Sequence, residues 1–229
     1  MKRLFKYYIF FFVIVYSSEI FAQENLSFDF TLKYNSRLLW AFRDDKTGLI
    51  DKNFHTIIPC EYDHIENFRH GFAVSYKDGK KGLITMTGKI ILPNEYDEIE
   101  IVSAKYFWLY KESGKGFADY TGKIIIPCEY EYIDFFRGRY AWTWKGGLMG
   151  MIDFDGKVVV PNEYDLIEPF KGDRAWCYKN KLKGMIDMKG NVIIPNEYDN
   201  IESFKNGVAR AVKDGKEMYI DANGKSAIK

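Results

Sequence analysis

A glycine recurs every 34 residues along this chain, and a proline follows each glycine eleven residues later. The stretch 82–93 reads GLITMTGKIILP, and the stretch 150–161 reads GMIDFDGKVVVP. A fixed period without insertions indicates one short unit that packs against copies of itself. We therefore predict a single array over residues 23–229, with partial units at both ends. The full units are expected near 48–81, 82–115, 116–149, 150–183 and 184–217.

Each unit divides into four strand-sized segments, which we call A to D. Segment A alternates large and small side chains, as in YAWTWK at 140–145, and segment B follows the repeated glycine. A second glycine, such as Gly88, then supplies the positive φ of a tight turn before the β-branched segment C. We expect segment C to stop at the proline, which has no N–H to donate, and segment D to begin at the Glu-Tyr that follows.

A period of 34 residues also occurs in helical repeat arrays, but this sequence does not suit them. Each unit carries glycine and proline where a helix interior would lie, and runs such as 158–160 (VVV) favour strands. The sequence predicts an all-β fold of about six tandem antiparallel β-meander units. These form either a propeller-like ring or an open β superhelix. The alternating segment 26–34 is a further strand, and in a ring it would complete the last unit.

The first 22 residues have the pattern of a signal peptide. Lys2, Arg3 and Lys6 precede ten apolar residues, 7–16, and a cleavage point after Ala22. An uncleaved anchor is the alternative, but spanning a bilayer takes roughly 20 apolar residues. We expect a periplasmic or secreted protein with no membrane span in its mature chain.

The formal net charge is +1, from 33 Lys and Arg against 32 Asp and Glu, so nothing points to nucleic acid as a partner. The three cysteines are odd in number. Cys60 and Cys128 share one phase of the repeat two units apart, beyond the reach of a disulfide, so we expect these two and Cys177 to be free. We also expect a monomer without a cofactor or a metal.

The recurring pattern G-[LMF]-[IA]-D-x-x-G-K-[IV]-[IV]-[IV]-P-x-E-Y-D-x-I, followed by F-x-x-G-x-A, resembles the WG-repeat family of bacterial proteins. The resemblance covers residues 26–229. It departs from the family at the tryptophan that precedes the repeated glycine, a position held here by Thr47, Lys81, Lys115, Met149, Lys183 and Glu217. The resemblance implies a β-repeat protein, often exported or associated with the cell envelope, and it implies no catalytic residues.

Tryptophans lie instead in segment A, where Trp108, Trp142 and Trp176 share one phase and Trp144 lies two residues after Trp142. One interpretation is an aromatic platform for sugar rings or a polypeptide, and these four residues are our predicted binding site. The other is packing of large side chains against the small residues of a neighbouring sheet, such as Ala73, Ala141, Ala175 and Ala209.

Acidic residues recur as well, at Glu61 and Asp63 in one unit and at matching positions in others. Calcium ligation or acid–base catalysis is one interpretation, and turn capping with ion pairs to the lysines of segment A is the other. The three histidines, His55, His64 and His70, all fall in the first full unit without a standard metal-ligand spacing.

Together these features favour a non-catalytic, exported binding or scaffold protein that presents one face of its array to a protein or glycan partner in the cell envelope. The alternative is an envelope-associated hydrolase that uses carboxylates specific to one unit.

Overall fold

The computed structural model describes residues 28–227, and the predicted signal peptide lies outside them. The described residues contain 23 β-strands and no helix. The strands form six antiparallel sheets, of which five have four strands and the last has three. The all-β fold of tandem antiparallel meander units is confirmed. No helix of residues 28–227 is long and apolar enough to cross a membrane.

The strands follow the chain from one sheet to the next. Sheet 1 contains β1 (Phe30–Lys33), β2 (Leu38–Arg43), β3 (Lys46–Asp51) and β4 (Thr56–Tyr62). Sheet 2 contains β5 (His64–Ile65), β6 (Phe72–Lys77), β7 (Lys80–Thr85) and β8 (Ile90–Tyr96). Sheet 3 contains β9 (Glu98–Ile101), β10 (Tyr106–Lys111), β11 (Gly114–Asp119) and β12 (Ile124–Tyr130). Sheet 4 contains β13 (Tyr132–Ile133), β14 (Tyr140–Lys145), β15 (Leu148–Asp153) and β16 (Val158–Tyr164). Sheet 5 contains β17 (Leu166–Ile167), β18 (Arg174–Lys179), β19 (Leu182–Asp187) and β20 (Val192–Tyr198). Sheet 6 contains β21 (Asn200–Ile201), β22 (Val208–Lys213) and β23 (Lys216–Asp221).

Sheets 1 to 5 run in the order D, A, B, C, and sheet 6 runs in the order D, A, B. A segment D therefore pairs with the segment A that follows it. The second and third strands form a hairpin whose two-residue turn has positive φ, as at Asp78 (54°) and Gly79 (76°). The glycine predicted to turn from B to C also has positive φ, 81° at Gly88 and 89° at Gly122. That prediction is confirmed.

Segment C does not stop at the proline, and this prediction was wrong. Strand β4 runs through Pro59 to Tyr62, and the Glu-Tyr assigned to segment D ends segment C instead. The pairs Thr47↔Tyr62 and Leu49↔Ile58 reveal a β-bulge around the proline, because two residue steps along β3 match four along β4. The proline sits in this bulge of an outer strand, where no ladder partner needs its missing N–H.

The bulge explains the repeated glycine that begins segment B. A Cβ atom at Gly82 would lie 2.8 Å from the carbonyl oxygen of Leu92 and 2.9 Å from Cγ of Asn94. Asn94 in turn donates from Nδ2 to the carbonyl oxygen of Ser75 at 2.8 Å, which ties the bulge back to the second strand. The repeated glycine is therefore required by the backbone packing of the unit.

Five hydrophobic clusters hold the array together, and each joins two successive sheets. The turn between the third and fourth strands of each sheet reaches the outer strand of the sheet before it. A Cβ atom at Gly122 would lie 2.1 Å from the carbonyl oxygen of Ile91. Successive sheets are thus in contact through backbone as well as side chains.

Strand β1 does not complete the last unit, as it would in a closed ring. It pairs with β2 in sheet 1, with Phe30 opposite Phe42. Their rings stack with centroids 4.4 Å apart and planes 11° apart. The first sheet therefore gains its segment D from its own unit.

Candidate functional site

Four of the five tryptophans make the same contact across a junction between sheets. Each indole comes from the second strand of one sheet and stacks on a phenylalanine that follows the first strand of the next sheet. The ring centroids are 6.0 Å apart for Trp40 and Phe68, 6.3 Å for Trp108 and Phe136, 5.7 Å for Trp142 and Phe170, and 6.0 Å for Trp176 and Phe204. The planes diverge by 3–14°. Such pairs each contribute about 0.5–1.5 kcal/mol beyond the area they bury.

The same indoles pack on the small residues of the neighbouring sheet. Trp108 lies in one cluster with Ala141, and Trp142 lies in another with Ala175. These contacts are the packing of large side chains against small ones that the second interpretation of the stripe describes. Trp108 is 3% exposed, whereas the predicted binding residues Trp142, Trp144 and Trp176 are half-buried.

Two lysines reach across these junctions with their ammonium groups over a tryptophan. Lys115 Nζ lies 4.0 Å from the ring centroid of Trp108 and donates to the carbonyl oxygen of Ile133 in the next sheet at 3.2 Å. Lys183 Nζ lies 4.5 Å from Trp176 and donates to the carbonyl oxygen of Ile201 at 2.9 Å. Burial lowers the pKa of both lysines. An aromatic face and a carbonyl oxygen together make this part of a junction a receptor for an ammonium group.

The junction between sheets 3 and 4 also carries the exposed side chains of Tyr132 and Phe135 beside the half-buried Lys115 and Trp144. We call these four residues the central aromatic surface. Tyr132 meets Trp144 edge to face with centroids 5.3 Å apart. Lys115 Nζ lies 5.6 Å from the ring centroid of Tyr132 and 5.9 Å from that of Phe135. Phe135 is 70% exposed and Tyr132 is 47% exposed. An aromatic side chain this exposed marks the surface as a candidate binding site.

Phe135, the most exposed member of the central aromatic surface, is specific to one unit. The positions equivalent to Phe135 hold Asn67, Ile101, Pro169 and Ser203. A residue that the repeat does not require is a better candidate for function than one present in every unit.

A match to a protein family model identifies the family of this chain. The model of the WG containing repeat matches residues 48–80, 116–148, 149–182 and 184–216, which is more than half of the chain. The chain belongs to the WG repeat family. Among curated proteins, none matches this WG repeat protein.

Several solved structures are similar to this WG repeat protein at low TM-scores. Hsv2p of Kluyveromyces lactis is 8% identical, with 87% of this chain and 78% of that chain covered and a TM-score of 0.30. The dihydro-heme d1 dehydrogenase NirN is 14% identical, with 86% and 55% covered and a TM-score of 0.30. PorZ of Porphyromonas gingivalis, a bacterial surface component of the type-IX secretion system, is 8% identical, with 86% and 32% covered and a TM-score of 0.30.

The lysines of the junctions stand where WG repeats carry their tryptophan, directly before the repeated glycine. In this chain the indole comes from the strand before, as Trp108, and the lysine covers it.

The repeated carboxylates form ion pairs and cap turns, as one interpretation of the sequence held. Five glutamates pair with the lysine that ends the following segment A, at 2.7–3.1 Å: Glu61 with Lys77, Glu95 with Lys111, Glu129 with Lys145, Glu163 with Lys179, and Glu197 with Lys213. A second series accepts from two backbone N–H groups of the turn before segment C. At Asp119 these come from Thr121 at 2.8 Å and Lys123 at 3.1 Å.

The histidines and cysteines are not brought together. His55 Nδ1 lies 3.0 Å from Asp51 Oδ2, while His64 lies 5.5 Å from the ring of Tyr76. Within residues 28–227, no group of three or more His, Cys, Asp or Glu side chains is placed to hold a metal ion. All three cysteines are free, as predicted.

Sequence reasoning missed Lys115, Tyr132 and Phe135. It also missed that the tryptophans are paired with phenylalanines 28 residues further on. One signal was present, because Val74 replaces the tryptophan and Val102, 28 residues further on, replaces the phenylalanine. The two positions change together within the chain.

Proposed function

We propose that this WG repeat protein is a non-catalytic binding protein that recognises a polypeptide partner at the central aromatic surface. The observation that carries the proposal is Phe135, the most exposed large hydrophobic side chain of the described residues, set beside Tyr132, Trp144 and a lysine. Aromatic side chains are enriched at protein interfaces and supply much of their binding energy.

A polypeptide suits this surface better than a glycan does. A sugar ring stacks on an open aromatic face, and the faces of Trp142 and Trp176 are already stacked on Phe170 and Phe204. At the central aromatic surface the rings meet edge to face and surround an ammonium group. Such a surface offers ring edges to the side chains of a polypeptide.

The repeated carboxylates already have structural roles, which disfavours acid–base catalysis by the repeat itself and leaves the carboxylates specific to one unit as the only candidates for the hydrolase alternative. Those of the two main series are engaged in ion pairs or hold the N–H groups of turns, as Glu95 does with Lys111 and Asp119 with Thr121. Breaking either contact to free a carboxylate for acid–base work would loosen the unit that carries it.

We also propose that the protein is exported, on the strength of the charged and apolar pattern of residues 1–22. Expression of the full chain in a bacterial host, followed by N-terminal sequencing of the protein from the periplasm and medium, tests this. Export predicts a mature chain that begins at Gln23. A chain retained in the cytoplasm with Met1 intact would contradict it.

Affinity capture from an envelope extract tests the binding proposal, with variants that the repeat itself supplies. Phe135→Ser and Tyr132→Asn introduce the residues found at the equivalent positions Ser203 and Asn200, so the unit should still fold. A control variant, Tyr120→Ala, removes a side chain that is 56% exposed on a different turn. We expect a polypeptide that wild type and the control retain and the other two variants lose. Retention by all four proteins, or a glycan as the species retained, would contradict the proposal.

A further inference from the structure

We propose that the cavity between sheets 1 and 2, two junctions away from the central aromatic surface, binds the ammonium group of a lysine side chain from a partner polypeptide. The cavity has a volume of about 500 Å³. Its walls are Trp40, Phe42 and Thr47 from sheet 1 and His64, Ile65, Glu66, Asn67 and Arg69 from the start of sheet 2. The proposal goes beyond recognition at the central aromatic surface and does not depend on it.

The cavity is the counterpart of the Lys115 site, displaced by two repeats. Trp40 stands for Trp108, Ile65 stands for Ile133, and Thr47 stands for Lys115. At the Lys115 site the ammonium lies over the indole and donates to the isoleucine carbonyl. The same two receptor groups line the cavity, but Thr47 has neither the length nor the charge to fill it.

The indole of Trp40 makes the same stacking contact as the indoles of the lysine-filled junctions, and it also meets Tyr34 edge to face with centroids 5.1 Å apart. Trp40 stacks on Phe68 with planes 11° apart, and Trp108 stacks on Phe136 with planes 14° apart. Because Trp108 and Trp176 hold a phenylalanine and an ammonium at once, the stacked ring leaves room for the cation. Trp40 therefore offers an ammonium the same position.

The charged groups of the cavity are compatible with a cation. Glu66 supplies a carboxylate, whose Oε1 accepts a hydrogen bond from the Tyr76 hydroxyl at 2.7 Å. Arg69 is a cation in the lining, but its counterpart at the Lys115 site is Arg137, and at the Lys183 site it is Lys205. A basic residue at this position thus accompanies both junctions in which an ammonium is bound.

The ligand class follows from the chain's own occupants. In two junctions a primary ammonium on an unbranched alkyl chain fills the site, and in the junction between sheets 1 and 2 the chain provides none. An ammonium over tryptophan is a strong form of cation–π contact, and the carbonyl oxygen gives it direction. A lysine side chain from outside reproduces both contacts.

A titration of the purified, ¹⁵N-labelled protein with Nα-acetyl-lysine N-methylamide tests the proposal. We expect saturable shifts of the Trp40 indole N–H. The norleucine analogue, which lacks the ammonium, should bind at least about tenfold more weakly. Equal binding of the two compounds would overturn the proposal, and so would shifts confined to other tryptophans.

Two variants sharpen the test, because the repeat supplies both. Thr47→Lys introduces the residue of positions 81, 115 and 183, so the chain should fill its own cavity and lose binding of the probe about tenfold or more. Lys115→Thr should open a second site and add shifts of the Trp108 indole. Undiminished binding by folded Thr47→Lys would overturn the proposal. If that variant does not fold, the absence of a second site in Lys115→Thr would overturn it instead.

Discussion

Trp142 of sheet 4 stacks on Phe170 of sheet 5 with ring centroids 5.7 Å apart and planes only 6° apart. The same two positions hold Val74 and Val102 in sheets 2 and 3, and there alone among the full units both rings are missing. Because the two residues change together, the ring pair is present or replaced as a whole at each junction between sheets. It ties each unit to the next, as expected of an array stabilised by nearest-neighbour interfaces.

Truncation of Trp142 should destabilise the protein through this contact. We expect Trp142→Ala to lower the free energy of unfolding by about 2–3 kcal/mol, less than for a fully buried tryptophan. The double variant with Phe170→Ala should show a coupling of about 1 kcal/mol. Urea unfolding followed by far-UV circular dichroism measures both. The control Tyr120→Ala should stay within about 0.5 kcal/mol of wild type, and strictly additive effects of the two truncations would argue against the stack.

Two glycines with positive φ should respond differently to alanine. At Gly146 (φ 62°) an added Cβ meets nothing within 4 Å, so Gly146→Ala should cost about 1 kcal/mol, for the backbone alone. At Gly122 the Cβ would lie 2.1 Å from the Ile91 carbonyl oxygen of the previous sheet. We expect Gly122→Ala to cost at least about 2 kcal/mol more in the same urea experiment. Equal losses of unfolding free energy in the two variants would mean that the turn at Gly122 does not contact the previous sheet.

Native cysteine labelling should separate the three thiols. Cys177 has no exposed surface, and burial raises the pKa of its thiol to about 11. At about pH 8 the reactive thiolate is therefore scarce as well as covered. Iodoacetamide followed by peptide mass spectrometry should modify Cys60 and Cys128 in the native protein and Cys177 only after unfolding. Rapid native modification of Cys177 would show that sheets 4 and 5 are not packed as described.

Stability should fall in acid partly through the turn caps. The backbone N–H of Lys225, and then that of Asn223, donate to Asp221 and hold the pKa of its carboxyl below the usual value near 3.8. A lowered folded-state pKa means that the stabilisation is present at neutral pH and is lost as the pH falls through that pKa. The stability advantage of wild type over Asp221→Asn should shrink between about pH 5 and about pH 2. Thermal unfolding of both proteins across this range checks it, and a constant difference would count against the cap.

The sequence predicted the unit well wherever one residue imposes a local conformation. The period gave the number of sheets, and the turn glycines Gly88 and Gly122 gave the hairpins, since a positive φ is a property of the residue itself. The prediction that segment C ends at the proline was wrong because the effect of a proline depends on where its strand lies in the sheet. An outer strand tolerates Pro59 within a bulge, and only the pairing of Thr47 with Tyr62 reveals that β4 is such a strand.

The candidate site was less accessible from the sequence, because it is built from contacts between sheets. Tyr132 and Trp144 face each other across paired strands, and Lys115 joins them from a third. None of these distances follows from spacing along the chain. Comparison of the units with one another could have found both unusual positions. Thr47 has lysines among its counterparts, and Phe135 is the one aromatic residue at its position.

Hydrogen exchange on the complex with the captured polypeptide tests most directly whether function lies in the unit-specific surface. We predict slower exchange in 130–136 and 142–148, which contain Tyr132, Phe135 and Trp144. We predict unchanged exchange in the repeated hairpin turns at 86–89, 154–157 and 188–191. The same experiment on Phe135→Ser should show no slowing. Protection that follows the repeated turns and leaves 130–136 unchanged would contradict the proposal that the central aromatic surface is the binding site.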